Sequence, residues 1–202
     1  MHGANRLGGN SLVETLVFGR RAGEAAAAYS QGLAAQLRDP QTIREAHDEL
    51  NEITREGDQL ARPLQRDLRN NMWENCGVVR HEARLTRGLE RLADIRAATA
   101  QVDVRPSSEG YADLALALDL RGAVASAEAT FRCALARRES RGAHQRKDYP
   151  NVEPRLLVNF IISLTADGSQ ALSHVPVPSI PDELHPLVHG RESLPSEGRL
   201  LE

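Results

Sequence analysis

Cysteine is nearly absent. Cys76 and Cys133 are the only two in 202 residues, with no CxxC pair and no histidine at metal-ligand spacing. A disulfide framework, a zinc site and an iron–sulfur cluster are excluded on that count, and both thiols read as buried or bystander groups of a reducing compartment. Long hydrophobic runs are missing too. The most apolar stretches, 114–118 and 122–127, are interrupted by Asp119 and Arg121, so no window reaches the ~20 uncharged residues that span a bilayer. No signal peptide is expected at Met1. Lysine is reduced to Lys147 among 25 basic residues, and the arginines alternate with Asp and Glu at a formal net charge of −3. Without a basic block, no nucleic-acid partner is implied.

With 41% hydrophobic and 26% charged residues the chain can bury one sizeable core, and one helical domain with appendages is the expected count. Residues 2–12, HGANRLGGNSL, form a glycine-punctuated loop that runs into a helix. Ser11 and Glu14 make a serine-x-x-glutamate capping pair, which predicts Ser11 as N-cap and leaves outward N–H groups that favour negative charge. Gly8 and Gly9 allow close backbone approach to a flat ligand, and Arg6 presents a planar fork suited to a carboxylate or phosphate.

The first helix is predicted over 12–37, its stripe changing from large residues (Leu12, Val13, Leu16, Val17) to small ones (Gly19, Gly23, Ala26, Ala27). Asp39-Pro40 starts a second helix, with a seam through Ile43, Ala46, Leu50, Ile53, Gly57 and Leu60. A third begins near Pro63, carries Leu64, Leu68 and Met72 on one face with Trp73 beside them in the core, and stops at Gly77. A fourth covers 81–100 through Leu85, Leu89, Leu92 and Ile95. Beyond a polar linker at 102–110, one long helix over 111–140 is apolar on most of its circumference, as the buried centre of an up-and-down bundle would be, with Gly142 as its stop. Residues 156–164 and 170–175, separated by Asp167-Gly168, read as a small β-hairpin, and the chain beyond 185 as a loose tail.

Three strings together carry a resemblance. HGANRLGGNSLVETLVFGRRAG at 2–23, NMWENCGVVR at 71–80 and ESRGAHQRKDYP at 139–150 are similar, in order and separation, to segments of the succinate dehydrogenase/fumarate reductase flavoprotein subunit. The resemblance covers the C-terminal third of such a subunit. The GxGxxG dinucleotide fold, the histidine that often carries FAD, the capping domain and the proton-transferring arginine of the family have no counterpart here.

The resemblance implies a mainly α fold, the family's C-terminal helical bundle, with a remnant of the FAD-binding domain at 1–38, the bundle at 39–148, a hairpin region at 149–184 and a flexible tail at 185–202. It places a substrate carboxylate on Arg6 and FAD against Asn10, Ser11 and Leu12, with no metal site and no catalytic residue within the chain. Expected partners are the missing N-terminal FAD-binding half, the dicarboxylate substrate (succinate or fumarate) and an iron–sulfur subunit. The expected location is cytoplasmic, at the inner face of the cell membrane through partner subunits, without direct membrane insertion. Alone, the chain is expected to be incomplete and inactive. Two other readings stay open: a noncatalytic helical interaction module keeping relic motifs, and a fragment of an L-aspartate oxidase-like flavoprotein, from which Gly8-Gly9 and Ala143 lean away.

Overall fold

A computed structural model of the chain describes residues 10–33, 39–105 and 113–185. Five helices follow in order: α1 (Asn10–Gln31), α2 (Pro40–Ile53), α3 (Ala61–Cys76), α4 (Glu82–Thr99) and α5 (Leu114–Ala136). Two short strands, β1 (Val79–Arg80) and β2 (Gln145–Arg146), pair in parallel, and β3 (Val158–Leu164) pairs antiparallel with β4 (Gln170–Pro176).

The core lies among α3, α4 and α5. Leu64 and Leu68 of α3, Leu85, Leu92 and Ile95 of α4, and Ala117, Leu120, Val124, Ala127, Phe131 and Ala134 of α5 are all buried. Each large aliphatic or aromatic side chain so enclosed stabilises by about 1.5–3 kcal/mol. Spacings of three, four and seven put each set on one helical face, as the sequence pattern requires. At the crossing of α4 and α5, Gly88 lets the helices meet. A Cβ there would stand 2.4 Å from the Phe131 ring and 2.7 Å from Asn75 Cβ. Asn71 donates to the Gly88 carbonyl at 2.8 Å and accepts from Asn75 at the same distance, so the buried amides are satisfied beside the apolar seam.

Several expectations require correction. Trp73 is not core: it is 78% exposed. Nine residues after Leu64, at 100° per residue, it falls on the opposite side of α3. Helix α2 ends at Ile53, short of Gly57 and Leu60, and its seam is mostly uncovered, since Ile43 and Leu50 are exposed and only Ile53 is buried. The central helix, around which the bundle pattern predicts three or four others, therefore has two close-packed neighbours among the described residues. Gly142 does not stop α5, which ends at Ala136. Instead, at φ +58°, it turns the chain so that Arg141 and His144 exchange backbone hydrogen bonds of 2.9 and 3.0 Å.

Other expectations hold. Asp39 caps α2, accepting from the N–H groups of Gln41 and Thr42. Gly77 follows α3, and Gly168, at φ +77°, turns the β3–β4 hairpin with Asp167 beside it. His81, expected as the first residue of the fourth helix, is instead the N-cap of α4. The hairpin leans on the bundle through Gln170, whose Nε2 donates to the Ala125 carbonyl of α5 at 2.7 Å. No helix among the described residues is long and apolar enough to cross a membrane.

Candidate functional site

The structure separates the two regions that the sequence singles out. Of the first, Arg6 lies outside the described residues, and Asn10 is the first residue of α1. Because the helix already begins there, Ser11 sits within its first turn rather than at the N-cap, and the start lies two residues earlier than the capping pair predicts. Ser11 is half-buried, and Leu12 is 73% exposed. From Thr15 through Leu33 every residue is exposed, including Leu16, Val17 and Phe18. Helix α1 thus presents an apolar flank that the described part of the bundle does not cover.

The second region is densely built. The parallel pairing of Val79 with Gln145 and of Arg80 with Arg146, continued by the Lys147 N–H donating to the Arg80 carbonyl, brings the 71–80 and 139–150 segments together. The link lies below the C-terminal end of α5. Arg146 is buried there, directing Nε and Nη2 to the two oxygens of Asp148 at 2.8 and 2.7 Å. Its Nη1 donates to the Ala134 carbonyl at 2.6 Å, satisfying a last-turn acceptor of α5, and its guanidinium lies 4.9 Å from the Tyr149 ring centroid. Asp148 also accepts from the Glu82 N–H at the start of α4, and its carboxyl is held well below the usual range, chiefly by Arg146.

Glu139 is the second ionic node. Fully buried, it accepts from Arg137 Nη1 at 2.6 Å, from Arg141 Nε and Nη2 at 2.9 and 3.0 Å, and from the Glu153 N–H at 2.9 Å. Burial alone pushes its pKa up, but these donors together outweigh burial and hold it at about 2. Arg137 reaches onward to the carbonyls of Leu156 and Val158 and stacks 4.7 Å from the centroid of Phe160, which pins the hairpin.

His144 stands between these nodes with both ring nitrogens engaged. Arginine can only donate and a carbonyl can only accept. Arg80 Nη1 therefore donates to Nδ1 at 2.7 Å, while Nε2–H donates to the Arg137 carbonyl at 3.0 Å. Burial, then the charges of Arg80, Arg146 and Arg137, lower its pKa against the pull of the Arg137 carbonyl bond. A neutral imidazole with no carboxylate partner and no free nitrogen is poorly placed for proton transfer, so it is a positioning residue of the junction.

The sequence reading placed Arg141 and His144 together but missed Arg80, Arg137, Glu139, Arg146 and Asp148. The available signal was the density of charge across 137–148, where five basic residues accompany Glu139 and Asp148, in a chain whose other charges are spread over helix faces. Neither cysteine contradicts its expected role: Cys76 is buried and Cys133 half-buried, with both thiols pushed up by burial. No cluster of metal-binding side chains occurs among the described residues.

Comparison with known proteins agrees with this architecture. Residues 65–178 match the family model described as fumarate reductase flavoprotein C-term. The fumarate reductase flavoprotein subunit of Mycobacterium tuberculosis is 35% identical over 189 residues, covering 88% of this chain and 32% of that protein. The corresponding protein of Escherichia coli, likewise a fumarate reductase flavoprotein subunit, is 33% identical over 184 residues, covering 86% and 30%. Among solved structures, the Mycobacterium smegmatis Sdh1 complex in the apo form superposes at a TM-score of 0.81 with 29% identity, covering all of this chain and 36% of that one. The chain thus spans about a third of the length of these relatives. A bundle of this topology, joined at its base by the paired 71–80 and 139–150 segments and matched over more than half its length, belongs to the fumarate reductase/succinate dehydrogenase flavoprotein family, as that family's C-terminal region.

Proposed function

We propose that this chain supplies the C-terminal share of an FAD-dependent subunit that interconverts succinate and fumarate, and that it is inactive alone. The observation that carries the reading is helix α1: it begins right after the GANRLGG segment of the sequence and exposes Leu12, Val13, Leu16, Val17 and Phe18. That face fits one wall of a flavin site. It combines a helix N-terminus with no acidic residue in its first turn and an apolar flank against which a flat ring system and its protein fold could pack.

In this reading Asn10, Ser11 and Leu12 face the cofactor and Arg6 binds a substrate carboxylate. Bound FAD supplies the hydride chemistry. The first turn of α1 stabilises negative charge at the ring edge, and Arg6, always ionised and bidentate, orients the dicarboxylate. The α3–α5 bundle and its arginine–carboxylate junction act as the platform. Residues 1–38 then belong with the FAD-binding fold, 39–148 with the bundle and 149–184 with the hairpin region, followed by a tail. An iron–sulfur subunit takes up the electrons, and attachment to the inner face of the membrane comes through such partners.

Flavin absorbance and succinate-dependent dye reduction test this, measured on the chain alone and after co-expression with the N-terminal part of a family relative. The expected outcome is flavin and activity only in the pair, with Arg6→Ala abolishing turnover while flavin is kept. Stoichiometric flavin on the chain alone overturns the incompleteness, and a pair without flavin overturns the assignment.

A further inference from the structure

An open pocket of about 420 Å³ lies beside the junction, lined by Arg80, Thr130, Cys133, Arg137 and His144 together with the small residues Ala129 and Ala134. Two arginines line it, and no carboxylate does. Their states differ. Arg137 is committed to Glu139 and to two hairpin carbonyls. Arg80 gives Nε–H to the Gly77 carbonyl and one Nη1 hydrogen to His144, which leaves three of its five N–H groups without a partner among the described residues.

The surrounding charge has the same sign. Arg80, Arg137, Arg141 and Arg146 gather around His144, whereas Glu139 is shared by Arg137 and Arg141 and Asp148 is taken by Arg146, with Glu82 3.8 Å away. Positive charge therefore exceeds negative at this spot in a chain whose formal net charge is −3. Half-buried cationic donors in a concave wall of small side chains make a receptor for an anion with few acceptor atoms.

We propose that this pocket is a binding site for a carboxylate, which pairs with the free N–H groups of Arg80 above the Thr130 lip. Three free N–H groups match two carboxylate oxygens. The imidazole offers no further donor, because its one N–H is spent on the Arg137 carbonyl. The carboxylate belongs either to a free small diacid or to an Asp or Glu side chain of a neighbouring polypeptide. The site does not depend on the flavin reading.

The test is an NMR titration of the purified chain, following the His144 ring signals, assigned by His144→Gln, with sodium acetate, sodium malonate and sodium chloride at matched ionic strength. The expected result is a saturable shift with acetate and malonate and none with chloride. Arg80→Gln should weaken it by at least about tenfold, and Arg121→Gln, at an exposed surface pair with Glu49, should leave it unchanged. Thr130→Glu, on the exposed lip of α5, should occupy the pocket from within and abolish the response to added acid. This second variant decides the matter if circular dichroism shows Arg80→Gln to be unfolded.

Malonate binding at least about tenfold tighter than acetate identifies a free diacid. Equal binding identifies a single carboxylate such as a protein side chain presents. A shift that is linear in salt, equal for all three anions, or retained in folded Arg80→Gln or Thr130→Glu overturns the proposal.

Discussion

At the scale of single residues, Glu139 concentrates the most interaction in the least space. A fully buried carboxylate answered by two arginines and a backbone N–H is expensive to break from one side, because its partners stay desolvated. Glu139→Gln should cost about 3–5 kcal/mol in urea unfolding at neutral pH. The sign with pH follows from its folded pKa of about 2, below the ordinary 4.5. The unfolded chain takes up the proton first as pH falls, so the contribution is complete above about pH 4.5 and is lost toward pH 2. Measured across that range, the gap between wild type and Glu139→Gln should narrow with acid, and a gap independent of pH would refute the ionic account. Little of this was legible beforehand. The sequence shows five basic residues and two acids gathered in 137–148, but which acid is buried depends on where the turn at Gly142 folds the chain back, and that is a tertiary fact.

At the scale of elements, helix identity was legible and helix environment only partly so. Periodicity located α3, α4 and α5 and their inward residues, and local chemistry located the cap at Asp39. Exposed apolar residues misled, since Trp73 and Ile43 look like core wherever a partner surface is assumed. Trp73→Ala should accordingly change the unfolding free energy by no more than about 0.5 kcal/mol, as surface substitutions do. Gly88 is the converse case, a residue with no apparent packing role that sets the distance between α4 and α5. Alanine there gains about 1 kcal/mol of helix propensity. Its methyl group must displace the buried Phe131 ring, an overpacking cost of about 1–3 kcal/mol. We expect Gly88→Ala to be destabilising on balance, and Gly88→Ala/Phe131→Leu to recover part of the loss. A stabilised Gly88→Ala would mean that the helices separate freely at this crossing.

At the scale of the whole molecule, the described residues set an α3–α5 bundle that satisfies itself against a helix α1 that does not. The α3–α5 core and the Glu139 and Asp148 nodes close on their own side chains, whereas α1 leaves Leu12 and Leu16 about three-quarters exposed. Apolar side chains spaced along one flank of a 22-residue helix favour any surface that removes them from water. A second copy of the chain serves when nothing better is present, and in the flavoprotein reading the N-terminal FAD-binding part is the better surface. Leu12→Glu/Leu16→Glu separates these statements. In urea unfolding it should leave the bundle within about 0.5 kcal/mol of wild type, where Leu85→Ala in the core should cost about 2–5 kcal/mol. In sedimentation at high concentration the wild-type chain should associate and the double variant should not. In the co-expressed pair the same substitutions should reduce recovery of the complex and of its flavin together. A wild-type chain that stays monomeric at high concentration would show that the exposed flank is too small to drive association. A double variant that still pairs and holds flavin would show that contacts other than the α1 flank join the two parts.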